Sequence, residues 1–215
     1  LSSAVLTPLQ RAVLGAFFQR ERRFRLTGGG ALAGFHLGHR RTEDLDLFSA
    51  EPVLDDGDRA LEGASRELGA QVERLQTSPT FRRRLVRRGQ EAVVVDLVQD
   101  LAPHAPEAEV VVDGIRMDSP GEILANKLCA LLSRSELRDL VDVRALEQAG
   151  LRVEEALAAA HAKDGGFTPS QLAWVLSGWR IGDDARVPDG TSPAVLRAWL
   201  GHLRERLAQV GWPGP

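Results

Sequence analysis

Gly28-Gly29-Gly30-Ala31-Leu32, followed one helix length later by Thr42-Glu43-Asp44-Leu45-Asp46-Leu47-Phe48, is the stretch whose reading decides the fold. Glycines without Cβ atoms form a tight turn and let the backbone approach a polyphosphate. Residues 31–38 read as a helix whose N-terminus would face that turn, with Gly38 as its stop. Leu45 and Leu47 then alternate with Asp44, Asp46 and Phe48, the period of a strand with one buried face. Two carboxylates two residues apart on a strand point to the same side and suit a hard divalent cation. Taken singly, each part has a plainer reading: a triple glycine is also an ordinary turn, and a D-x-D pair is also a solvated strand edge.

Working outward, Thr7-Pro8 supplies an N-cap and a first-position proline for a helix carrying Leu9, Val13, Leu14, Phe17 and Phe18 at helical spacing. Residues 24–27 form a short strand running into the glycines. A helix is expected over 58–68 and a strand over 71–75. Residues 81–87 and 92–98 form two strands joined by a hairpin at Arg88-Gly89-Gln90, and 110–117 a short strand pair around Asp113-Gly114. After Ser119 the pattern turns helical. Ser119-Pro120-Gly121-Glu122 has the form of a capping box, and helices follow over 120–133, 136–148 and 153–162. Thr168-Pro169 and Ser192-Pro193 open two more. The chain thus divides into an α/β domain, residues 1–118, and a helical domain, residues 119–215.

Asp96 is the anomaly of its strand, because Val93, Val94, Val95, Leu97 and Val98 surround it. A carboxylate there is costly to bury without a cationic partner. A metal shared with Asp44 and Asp46 would be one such partner, and an arginine from 82–88 another. Two cations bridged by carboxylates about 3.5–4 Å apart are what phosphoryl-type displacements at a nucleotide use.

Composition narrows the classes. A net charge of −3 gives no global pull on nucleic acid, so any such contact must be local. The single cysteine, Cys129, excludes an internal disulfide framework and a multi-cysteine zinc site, and its apolar neighbours mark it as a small buried side chain. No apolar run reaches the ~18 residues of a membrane span. No signal-peptide pattern opens the chain, and a cytoplasmic location is the expectation.

The motifs together resemble a known family. Gly28 to Leu32 and Leu37-Gly38-His39-Arg40-Arg41-Thr42-Glu43-Asp44-Leu45-Asp46-Leu47-Phe48 are similar to the nucleotidyltransferases of the AbiEii type. These are toxins of abortive-infection toxin–antitoxin pairs within the DNA-polymerase-β-like superfamily. Ala125-Asn126-Lys127-Leu128 and Arg138-Asp139-Leu140-Val141-Asp142-Val143 resemble later motifs of that family, so the likeness spans roughly residues 24–145. It implies an α+β fold: a mixed nucleotidyltransferase sheet with flanking helices, followed by a helical bundle that contributes to the active-site cleft. It implies Asp44 and Asp46 as catalytic metal ligands for Mg2+, with Asp96 fitting the superfamily's third carboxylate. It implies Gly28, Gly29, Gly30, Lys127 and Arg138 around the NTP, and Asp139 or Asp142 completing a later catalytic motif. Where the family usually carries a small hydroxyl residue, this chain has Gly30, which would leave only backbone N–H donors for the phosphate.

The function so implied is Mg2+-dependent transfer of an NMP from an NTP to a hydroxyl of RNA, tRNA included, or of a protein. A separate antitoxin protein would be the counterpart. A non-catalytic nucleotide- or RNA-binding protein keeping the same fold is the alternative, with Gly30 as its motive. Two arginine clusters, Arg20, Arg22, Arg23, Arg25 and Arg82, Arg83, Arg84, Arg87, Arg88, are candidates for RNA phosphates or for a solvated strand face. Trp174, Trp179, Trp199 and Trp212 are expected to pack the helical half.

Overall fold

The structure, a computed structural model, describes residues 5–104 and 109–211. It forms two compact units, Leu1–Ser119 and Pro120–Pro215.

The first unit is a mixed seven-stranded sheet with helices against it. Its strands are β1 (Arg25–Thr27), β2 (Asp44–Ser49), β3 (Gln71–Ser78), β4 (Phe81–Arg88), β5 (Glu91–Gln99), β6 (Glu109–Val112) and β7 (Ile115–Asp118), in the order β3-β4-β5-β2-β1-β7-β6. Central β2 runs parallel to β5 and antiparallel to β1. One sheet face is closed by α1 (Pro8–Phe18) and α3 (Leu54–Glu67), which bury Leu45, Leu47, Val93, Val95 and Leu97 with Phe17 and Phe24. The two phenylalanine rings meet edge to face at 5.6 Å. Thr7 caps α1 in a full capping box with Gln10.

Period two governs β2 as its sequence implies: Leu45 and Leu47 are buried while Asp44, Asp46 and Phe48 are half-buried. The same period splits the arginine-rich strand β4. Arg82 and Arg84 point to the covered face, where Asp55 and Asp58 of α3 meet them, and Arg83 shares the other face with Asp96.

The glycines differ from the turn expected of them. They are the opening turn of α2 (Gly28–Ala31), which widens directly into a π-helical segment, Leu32–Leu37. Its wider turn shows in the Gly38 N–H, which donates to the Ala33 carbonyl five residues back. Gly38 ends the segment in the left-handed conformation.

The second unit is all helical: α4 (Pro120–Ser133), α5 (Leu137–Gln148), α6 (Val153–Lys163), α7 (Pro169–Ser177) and α8 (Pro193–Gln209). Thr168 and Ser192 cap α7 and α8 through their side chains. Leu196, Leu200, Leu203 and Leu207 form one buried stripe along α8, the 3.6-residue period made visible. Trp174 departs from the packing role expected of it and is 75% exposed on α7. Trp199 donates from Nε1 to Glu147 Oε2 at 3.0 Å, and Trp212 lies outside the described residues.

Candidate active site

On the face of the sheet opposite α1 and α3, backbone register lines up four polar side chains. Thr27 lies across from Asp46, Asp46 across from Asp96, and Asp96 across from Arg83. Cross-strand partners share a face, and Asp44 joins them two residues along β2. The three carboxylates singled out in the sequence therefore occupy adjacent strands on one surface.

Asp44 is oriented locally. Thr42 Oγ1 donates toward the Asp44 carbonyl at 3.3 Å and lies 3.2 Å from its Oδ1. The Thr42 carbonyl accepts from Gln10 Nε2 of α1 at 2.9 Å, in the interior. Asp46 is placed by what is missing beside it. Gly28 has φ +60°, and a Cβ there would overlap the Asp46 carboxylate. Only glycine combines that conformation with so close an approach. The Asp46 carboxylate thus sits against the start of α2, where helix N–H groups have no partner within the helix.

Gly30 plays a different part. A Cβ at Gly30 would face Leu26 Cδ1 at 3.1 Å, Leu45 Cδ2 at 3.4 Å and the Asp44 carbonyl at 3.6 Å. A hydroxyl side chain there would be directed at strands β1 and β2. The glycine thus fits a tight contact between α2 and the sheet.

Asp96 is held by an arginine, as one of the two sequence readings required. Arg83 grips it with a two-pronged fork, Nε to Oδ1 at 2.9 Å and Nη2 to Oδ2 at 2.7 Å. Asp96, with Asp44 and Asp46 behind it, holds the Arg83 guanidinium above its ordinary pKa against the opposing effect of burial. Sequence reasoning named Arg83 only as a member of a basic cluster. The signal that singles it out is its odd-numbered place on β4, which puts it on the face of Asp96.

In the helical unit, Lys127 of α4 meets two carboxylates of α5: Asp139 at 2.8 Å and Asp142 at 2.7 Å, all three buried. Arg134 adds a fork to Asp139 at 2.8 and 3.1 Å. Burial pushes the Asp139 carboxyl up, but Lys127 and Arg134 outweigh it and hold it below the usual carboxylate range. Arg138 pairs with Glu136 at 2.5 Å. The structure thus joins Lys127, Asp139 and Asp142 in one network.

The arginine clusters are largely neutralised. Arg20 pairs with Glu67, Arg23 with Glu21 and Asp56, and Arg25 with Asp118 and Asp100. Arg82 and Arg84 pair with Asp58, Arg87 with Glu73, and Arg88 with Glu91.

A carboxylate pair on β2 thus lies beside a glycine-opened helix. The model of the nucleotidyl transferase AbiEii toxin family, of type IV toxin–antitoxin systems, matches residues 12–206. The chain belongs to the AbiEii family. As an AbiEii chain it is a nucleotidyltransferase toxin, with an NTP as substrate and an antitoxin as counterpart. Its fold is similar to that of JHP933 from Helicobacter pylori, with TM-score 0.60 and 18% identity over 94% of this chain and 89% of that one. It is equally similar to the nucleotidyltransferase toxin MenT4 from Mycobacterium tuberculosis, with TM-score 0.60 and 18% identity over 94% of this chain and 82% of that one. No curated protein sequence matches the AbiEii chain. Among the described residues, no helix is long and apolar enough to cross a membrane.

Proposed function

We propose that this AbiEii chain transfers an NMP from an NTP to a hydroxyl of RNA, tRNA included, or of a protein, in a Mg2+-dependent reaction in the cytoplasm. The observation that carries the reading is the register of Asp44, Asp46 and Asp96 on one sheet face beside the glycine start of α2. The donor chemistry suits the ion: all three side chains are carboxylates, the set a hard cation prefers, and Gly28 leaves the room that the Asp46 carboxylate occupies. Asp44 and Asp46 would hold Mg2+, with Asp96 as third ligand. When bound, Mg2+ supplies charge stabilisation on the phosphates and lowers the pKa of a hydroxyl.

The chain's own groups do the rest. Backbone N–H groups at Gly28, Gly29 and Gly30 favour phosphate oxygens. The acceptor oxygen attacks the α-phosphorus, the bond to the β-phosphate oxygen breaks, and pyrophosphate leaves. A carboxylate takes the hydroxyl proton. We assign Lys127 and Arg138 to the triphosphate, and Asp139 and Asp142 to the later catalytic motif, with Lys127 pre-oriented by both carboxylates.

The test is incubation of the protein with each labelled NTP, Mg2+ and total cellular RNA or protein, beside the Asp44→Ala plus Asp46→Ala variant. Label on a macromolecule with the native chain only is the expected result. Its sensitivity to nuclease or to protease identifies the acceptor. Label on neither, with all four NTPs, or equal label with the variant, overturns the reading.

A further inference from the structure

We propose that Arg83 is the resident counter-ion of Asp96 and sets the metal requirement of the enzyme, because a divalent cation must take Asp96 from it. The inference rests on the metal reading given above for Asp44, Asp46 and Asp96.

The argument starts from burial. The Asp96 side chain is only 6% exposed, and a buried carboxylate without a cation is expensive. In the free protein Arg83 meets that need through two hydrogen bonds, at 2.9 and 2.7 Å. Asp44 and Asp46 add their attraction to the same guanidinium. At Asp96, Arg83 thus supplies the charge that a bound metal would otherwise supply.

The arginine is also built to leave. Its side chain is 43% exposed, whereas Arg84, the next residue, is 2% exposed and locked to Asp58 of α3. Both make carboxylate forks, but only Arg83 opens onto solvent. On release its guanidinium would stay near the Phe81 ring, whose centroid lies 5.6 Å away. A positive charge beside a cation site opposes a second cation, while a carboxylate-orienting group favours it. The sign of the change in metal affinity on removing Arg83 separates the two roles.

The experiment is titration of the full chain with Mn2+ alone, followed by electron paramagnetic resonance and calorimetry, for wild type, Arg83→Gln, Arg83→Lys and the double variant Asp44→Ala plus Asp46→Ala. Arg83→Gln should bind Mn2+ severalfold more tightly than wild type. Arg83→Lys retains the charge but loses the fork, and should gain less; it carries the test if the glutamine variant does not fold. Equal or weaker Mn2+ binding in a folded Arg83 variant, with wild-type binding intact, overturns the role of Arg83 and leaves the metal reading standing. Absence of any Mn2+ binding that the double variant removes overturns both.

Discussion

Gly28 and Gly30 can be told apart by substitution, and the structure gives the sizes. Gly28→Ala imposes a left-handed conformation on a residue with a Cβ, at about 1–2 kcal/mol. The new methyl also displaces the Asp46 carboxylate by about an ångström, and such a shift at a reacting centre costs on the order of 100-fold in rate. For a chain of this length the strain corresponds to a melting temperature lower by about 2–8 °C. Gly30→Ser meets the ends of Leu26 and Leu45 closely, at 3.1 and 3.4 Å, and the Asp44 carbonyl at an ordinary contact distance of 3.6 Å. Side-chain ends of that kind give way at a cost of roughly 1 kcal/mol. Calorimetry together with NTP-transfer kinetics should therefore find Gly28→Ala folded but nearly inactive, and Gly30→Ser within about threefold of wild type in kcat/KM. Wild-type turnover by Gly28→Ala would refute the placement of Asp46. A severalfold fall in NTP KM for Gly30→Ser would show that a side chain at this position reaches the nucleotide, and would refute the geometry given for Gly30.

Other outcomes follow from the helical unit. Lys127→Ala leaves Asp139 and Asp142 buried without their shared cation and should cost about 3–5 kcal/mol in urea unfolding; a loss below about 1 kcal/mol would mean the network contributes little. The depressed pKa of Asp139 means that its contribution to stability is complete above the unfolded value of about 3.9 and disappears as pH falls through the lower folded value. Acid unfolding curves of Asp139→Asn should accordingly be flatter in that window than those of wild type, and parallel curves would contradict the assignment. Burial pushes the Cys129 thiol up to about 11. At pH 8 it should therefore react with a disulfide reagent about a hundredfold more slowly in the native chain than in the unfolded one, and equal rates would show the thiol to be accessible and ordinary.

Local chemistry explains why much of this fold can be read from the sequence. Thr7-Pro8, Thr168-Pro169 and Ser192-Pro193 open helices because cap and proline act within one turn. The β2 alternation follows from period two, and Gly89, at φ +58°, turns the β4–β5 hairpin. What escaped depends on partners distant in the chain. Arg83 meets Asp96 only through the register of β4 against β5. The roles of Gly28 and Gly30 depend on which strand atoms each faces, and three identical letters carry no sign of that. Trp174 carries the same letter as half-buried Trp199 but sits on the outer side of α7. The pairings within the candidate site were not legible: that Lys127 bridges Asp139 and Asp142 emerges only when α4 packs on α5.

The splitting of β4 has a consequence for how the enzyme meets its acceptor. An arginine already holding a carboxylate brings little new charge to an arriving phosphate and displaces few condensed ions from a polyanion. Arg82 and Arg84 are spent on α3, and Arg87 and Arg88 pair with glutamates. The arginine-rich strand therefore overstates the chain's hold on a nucleic acid. Association with an RNA acceptor should show a shallow dependence on ionic strength, with a log–log slope well short of the roughly −0.7 per phosphate that freely available arginines on a single strand would give.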